Sequence, residues 1–239
     1  MTPCGQRSNL TYIENLLSDE TMLESYNIVF LSCVPGKFKS LTAAQQMSIT
    51  NNLKTWTQKG GRLFVTDNSY DYLAQAFPSN VSFANGDGTI DAANVGVGGT
   101  TTAPASYAGQ INDTTLAAWL AIVGAVTPGT STLMLTGYLN KWSVVQSVPM
   151  STVDVVDATN AQAYPPGSTT PGPAASYPQS IKFDVNDAGG NACGRAIYTS
   201  YHTLDATTAG VDPNIMLSPQ ERILEYLMFE AGACVGPVS

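Results

Sequence analysis

Charge is scarce in this chain: Asp, Glu, Lys and Arg make up 12% of its 239 residues, about half the share of an ordinary globular protein. The polar surface must then be built from Ser, Thr, Asn, Gln and Gly, a composition common in exported proteins. The ten Lys and Arg form no run and the net charge is −8. That argues against nucleic acid, whose phosphates need clustered cations, and against an anionic membrane surface. No apolar stretch reaches the roughly 18 residues of a membrane span. Met1 to Asn9 has no apolar signal-peptide core, so the secreted, periplasmic or cell-surface location that the composition favours requires a signal lying outside these residues. Histidine occurs once, at His202. Cysteine occurs four times, at Cys4, Cys33, Cys193 and Cys234, never as C-x-x-C, which argues against a structural zinc knuckle.

What is present describes a packed domain. Hydrophobic residues make up 44% of the chain, enough for a real core, and the length suits a single α/β domain over 1–239. The even cysteine count predicts one or two disulfides, with Cys4 and Cys234 placed to fasten the chain ends; four buried thiols is the other reading. Asn27–Cys33 is an unbroken apolar run and reads as a central parallel strand buried on both faces. Thr42 and Gln45 form a capping box for a helix carrying Ile49, Leu53 and Trp56, which Gly60-Gly61 stops. Arg62–Asp67 reads as a second buried strand, followed at once by a helix over Tyr70–Ala76. This alternation predicts a three-layer, flavodoxin-like doubly wound sheet, mostly parallel. Residues 77–115 and 163–178 read as long irregular insertions, with a short helix over Leu116–Val123 and strands over Thr132–Leu135 and Trp142–Val148 between them. The last strands are Ser180–Val185 and Gly194–Ser200. The final helix opens on Ser218-Pro219-Gln220-Glu221, an N-cap, a first-turn proline and a capping-box glutamate.

Three passages, Tyr26–Cys33, Leu53–Asp67 and Gly194–His202, together resemble the class I glutamine amidotransferase-like superfamily, in its ThuA-like (trehalose-utilisation-like) branch. In that pattern a helix ends on Gly-Gly before a central strand, and a late strand opening on Gly-Arg leads to a histidine. The ending from Ser218 to Cys234 resembles a group of predicted bacterial secreted proteins and lipoproteins with the same core. The blocks cover about 90 residues. The resemblance implies the same doubly wound fold, yet the elbow that would carry a nucleophilic Cys reads Asp67-Asn68-Ser69, and His202 is followed by Thr203-Leu204 with no Glu two residues on. Glutamine hydrolysis is therefore not expected. The usual opening strand of the family has no counterpart after Asn9.

Three candidates fall at strand C-terminal ends, where a doubly wound sheet opens its ligand crevice. His202 is a candidate general base, against the reading of a packed histidine. Cys33 is a candidate nucleophile, against a disulfide half or a buried thiol. Asp67 is a candidate orienting carboxylate, against the ordinary use of such a residue as the N-cap of the helix at Tyr70. Asn68, Ser69 and Tyr201 are expected around the substrate. Ser69 has no G-x-S-x-G setting as a nucleophile. A metal site on Asp67 and His202 lacks an obvious third ligand, Asp71 and Asp205 being the nearest offers, and neither metal nor cofactor is expected. Gly96–Gly99 fails the strand-to-helix context of a dinucleotide loop. Asn85–Gly88 lacks the carboxylates of a calcium loop. Two functions of different class follow. One is a hydrolase of a small ester- or amide-like substrate using Cys33, His202 and Asp67. The other is a non-catalytic extracellular module on a degenerate amidotransferase-like core, with a small molecule or glycan as ligand.

Overall fold

The computed structural model describes residues 13–33, 37–84, 97–98, 105–138, 142–165, 168, 170–200 and 217–233. In chain order the elements are α1 (Ile13–Ser18), α2 (Glu20–Leu23), β1 (Ile28–Leu31), α3 (Ala43–Gln58), β2 (Arg62–Thr66), α4 (Tyr70–Ala76), β3 (Ser82–Phe83) and β4 (Val97–Gly98). They continue with β5 (Ala105–Ile111), α5 (Thr114–Ile122), β6 (Thr132–Tyr138), β7 (Val145–Ser147), β8 (Val153–Tyr164), β9 (Ala174–Asn186), β10 (Ala192–Thr199) and α6 (Pro219–Gly232). The main sheet runs β1-β2-β10-β9-β8-β5-β6, with β4 joined to β8, while β3 and β7 form a separate pair.

The three-layer α/β architecture follows from strands that feed two cores. Leu63 and Val65 of β2 and Ala196 and Tyr198 of β10 pack with α1 to α4. Between them in sequence, Phe64 and Ile197 turn to the opposite face and join α5 and α6. Neighbouring residues of one strand thus go to opposite faces, which is why both strands read as continuous apolar runs. α3 begins with its capping box in place, Thr42 receiving the Gln45 N–H and Gln45 Oε1 receiving the Thr42 N–H. It stops where Gly60 takes φ of +108° and where any Cβ on Gly61 would lie 2.3 Å from the Trp56 ring. α6 opens on the reciprocal Ser218–Glu221 box.

The sheet is mixed rather than mostly parallel. β1, β2 and β10 are parallel neighbours, and every other pairing in the sheet is antiparallel. The reason lies in the two stretches expected as loops. Residues 77–115 contain β3, β4 and β5, and 163–178 straddles the end of β8 and the start of β9. β8 and β9 hold Ala, Ser, Thr, Asn, Gln or Asp at more than half of their positions, and the β8 end and β9 start are partly exposed, so they carry little of the apolar signature by which strands are recognised. β1 also differs from expectation. It is the end strand of the described order, and Phe30 is 51% exposed, so one of its faces is only partly covered.

On the α6 face, Lys182 of β9 bonds Asp113 at 2.7 Å and Glu230 at 2.9 Å, and Arg195 bonds Glu230 at 2.8 Å and Asp184 at 2.7 Å. Burial opposes both charges of the first pair. The mutual hydrogen bond outweighs it, holding Asp113 below and Lys182 above their ordinary values. Asp113 also caps α5 through the Thr115 and Leu116 N–H groups, so this network ties α5 and α6 to the sheet.

Candidate functional site

The crevice side of the sheet is defined by the C-terminal ends of β1 and β2. Thr66 Oγ1 donates to Leu31 O at 3.2 Å and Ser69 Oγ donates to Ser32 O at 2.5 Å, so the two strand ends are stitched together. Between β2 and α4 the chain makes a 3-10 turn over Asp67–Ser69, and Asp67 takes φ of +38°. A non-glycine residue in this left-handed region is strained, a feature met at functional turns.

Asp67 is fully buried and does not cap α4. The cap position is Ser69, which makes no side-chain capping bond. Asp67 Oδ1 instead accepts the Ser143 N–H at 2.6 Å, and Oδ2 lies 3.5 Å from the Cys33 thiol, which donates to it. Asn68 Nδ2 donates to Cys33 Sγ at 3.3 Å, while Asn68 Oδ1 accepts from Ser143 Oγ at 3.3 Å. Tyr198 Oη donates to Ser143 O at 2.9 Å. Three side chains thus converge on Ser143, Asp67 and Asn68 of the elbow and Tyr198 of β10, and Cys33 joins them through Asp67 and Asn68. The position of Ser143 in the chain offered no signal for this role, because the contact spans 76 residues.

Cys33 is a free thiol, half-exposed, and so is Cys193. The two cannot pair with each other: Cys33 follows the end of β1, whereas Cys193 lies near the start of the parallel β10, at the other edge of the sheet. The expected disulfide through Cys4 and Cys234, and the expected roles of Tyr201, His202 and Asp205, lie outside the described residues. Of the predicted site residues, the structure thus brings Cys33, Asp67, Asn68 and Ser69 into one cluster. Among the described residues no three His, Cys, Asp or Glu side chains converge.

Beside this cluster lies a cleft of about 350 Å³, lined by Ile13, Glu14, Phe30, Leu31, Ser32, Lys37, Ser69 and Tyr72. Ser69 belongs to both, and its hydroxyl donates to Ser32 O, which also lines the cleft. Glu14 and Tyr72 are buried, and sequence reading missed both: Glu14 looks like an ordinary first-turn acid of α1, and Tyr72 like a core aromatic. Burial, with the Glu14 and Asp71 carboxylates nearby, holds the Tyr72 phenol above its ordinary value.

Two acids, Asp154 and Asp157, sit on β8. Burial first, then the hydrogen bond and charge of Asp157, push Asp154 up to about 8, with the Asn112 side chain working the other way. A buried carboxyl with a second acid near it holds its proton because ionising it there is costly. The sign follows from linkage. Asp154 binds its proton more tightly when folded, so its stabilising share is complete below the unfolded carboxyl value of about 4 and is lost as pH rises through about 8. Asp154→Asn is expected to match wild type near pH 4 and to exceed it by several degrees in melting temperature near pH 9, since about 1 kcal/mol moves the midpoint of such a domain by about 2–4 °C. Thermal unfolding across that range measures it; parallel curves for the two proteins would refute the raised Asp154.

No family model matches the chain, and no curated protein matches it. Solved structures do. A protein of Bacteroides uniformis ATCC 8492 described as ThuA-like superposes with a TM-score of 0.50 at 11% identity, over 90% of this chain and 74% of that one. The N-terminal domain of mmIFT52 superposes with a TM-score of 0.51 at 10% identity, over 93% of this chain and 83% of that one. At such identities the likeness is one of fold, and at that level it agrees with the ThuA-like passages: the chain has a three-layer α/β fold shared with a ThuA-like protein.

Proposed function

We propose that this chain is a non-catalytic binding module on an amidotransferase-like core, and that its ligand is a small molecule seated in the cleft between α1, α4 and the end of β1. The observation that carries this reading is the fate of the elbow. The side chain standing where a nucleophile would stand is a fully buried carboxylate, and its oxygens accept from the Ser143 N–H and the Cys33 thiol. It fastens one part of the fold to another. Next to it, the cleft has apolar walls and a few converging polar groups, the usual make-up of a small-molecule site, and its volume lies at the lower end of the range for such sites.

A second reading is supported by one contact. Cys33 is a free thiol 3.5 Å from Asp67 at the crevice, and with His202 as base and Tyr201, Asn68 and Ser69 around the substrate it would form a hydrolase of the kind the sequence suggests. Chemistry favours the first reading. Asp67, the carboxylate that would orient the base, is fully buried and spends its oxygens on the Ser143 N–H and the Cys33 thiol, a structural use that the hydrolase does not need.

The binding reading is tested by a thermal-shift screen of chemically diverse small molecules on wild type beside Phe30→Ala and Tyr72→Phe. At least one class is expected to raise the melting temperature of wild type and to do so less in the two variants. Hits that are indifferent to both substitutions, or no hit at all, would remove the cleft as the site.

A further inference from the structure

We propose that the cleft binds a primary ammonium ion carried on a short apolar body, with Glu14 as its counter-ion; the assignment rests on the binding-module reading and names its ligand class.

The argument starts from two side chains more than nine-tenths buried that line the cleft. Glu14, in the first turn of α1, is 6% exposed, and Tyr72 of α4 is 3% exposed. Tyr72 Oη has no hydrogen-bond partner among the described residues, and a buried hydroxyl is costly to leave unpaired. Glu14 Oε1 is answered by Lys37 Nζ at 3.3 Å, but the Lys37 side chain is 41% exposed. An ion pair with one partner in water is worth little, so Lys37 can swing out at small cost and leave the carboxylate to a ligand.

The remaining lining selects the ligand's chemistry. An anion would face the Glu14 carboxylate. An uncharged apolar molecule would leave the Tyr72 hydroxyl unanswered and give Glu14 nothing in place of Lys37. An ammonium ion brings a counter-charge to Glu14 and N–H donors to the Tyr72 oxygen, while the rings of Phe30 and Tyr72 offer faces on which cations are favoured. Ile13, Phe30 and Leu31 supply an apolar wall for its body, and about 350 Å³ admits only a short one. The net charge of −8 raises the local concentration of cations and speeds their arrival.

The test is calorimetric titration with n-butylammonium, butyrate, n-butanol and norvaline on wild type, Glu14→Gln, Lys37→Met and Tyr72→Phe, each checked for a native melting curve. Butylammonium is expected to bind wild type and to lose about tenfold or more in Glu14→Gln, the usual scale for removing one charge-assisted partner. In Lys37→Met it is expected to bind several times more tightly, because a competitor for Glu14 has gone. That second sign stands even if Glu14→Gln folds poorly. Butyrate or norvaline binding better than butylammonium, with loss in Lys37→Met, would overturn the assignment by making Lys37 the ligand-binding charge. So would n-butanol binding as well as butylammonium, although a cleft that takes the alcohol would still support a binding module. Absence of butylammonium binding in both wild type and Lys37→Met also overturns it, and the wider thermal-shift screen then decides the binding reading separately.

Discussion

Gly194→Ala is expected to be the most damaging single methyl group that can be added to this protein, lowering stability by about 3–5 kcal/mol or preventing folding. A Cβ at this position would lie 1.9 Å from Thr57 O and 2.7 Å from Gly61 O. Both are backbone atoms, one in the last turn of α3 and one in the link from α3 to β2, so no side chain can turn aside to make room. Relief requires α3 to lift from β10, which would open the core of Leu53, Trp56, Ala196 and Tyr198. Gly124→Ala is the matched control. It has φ of +72° with nothing within 4 Å of the added carbon, so it carries only the left-handed backbone penalty of about 1 kcal/mol. Denaturant unfolding of the two variants measures the difference; a Gly194→Ala protein within about 1 kcal/mol of wild type would mean that α3 does not press on β10 as described.

The second large effect is expected at the elbow. Asp67→Ala removes the acceptor of a fully buried Ser143 N–H and of the Cys33 thiol, and it places alanine at φ of +38°. The unsatisfied donor costs about 1–3 kcal/mol and the backbone strain about 1 kcal/mol more, giving a loss of about 2–4 kcal/mol. Asp67→Asn keeps an acceptor oxygen for Ser143 and a residue type that tolerates the left-handed region, and is expected to cost less than half as much. If Asp67 were instead a solvent-facing catalytic group, the two substitutions would cost similar and small amounts of stability. Urea unfolding of both variants separates these cases.

How far the sequence could be read depended on the range of the interactions involved. α3 and α6 were legible because their caps are local: Thr42 with Gln45 and Ser218 with Glu221 sit three residues apart. β2 and β10 were legible because each has an apolar centre, Leu63–Val65 and Ala196–Tyr198, buried on both faces. Ser180–Val185 was read as a strand and forms the second half of β9, but β8 and the first half of β9 were missed, since they gain their order from pairing with each other rather than from burying a continuous apolar stripe. The elbow could be placed but its role could not. Asp beside a helix start is ordinarily a cap, and only the return of the chain at Ser143 gives Asp67 a different partner. The cleft was illegible for the same reason, as Glu14, Lys37 and Tyr72 come from three separate segments.

The measurement that bears most directly on the central claim is a hydrolysis screen over chromogenic carboxyl, phosphoryl and glycosyl esters, run on wild type, Cys33→Ala and His202→Ala, with folding verified in each. A binding module predicts no turnover above buffer in any of the three proteins. Turnover by wild type that is lost in both variants would contradict it and make the Cys33–Asp67 crevice a hydrolase site.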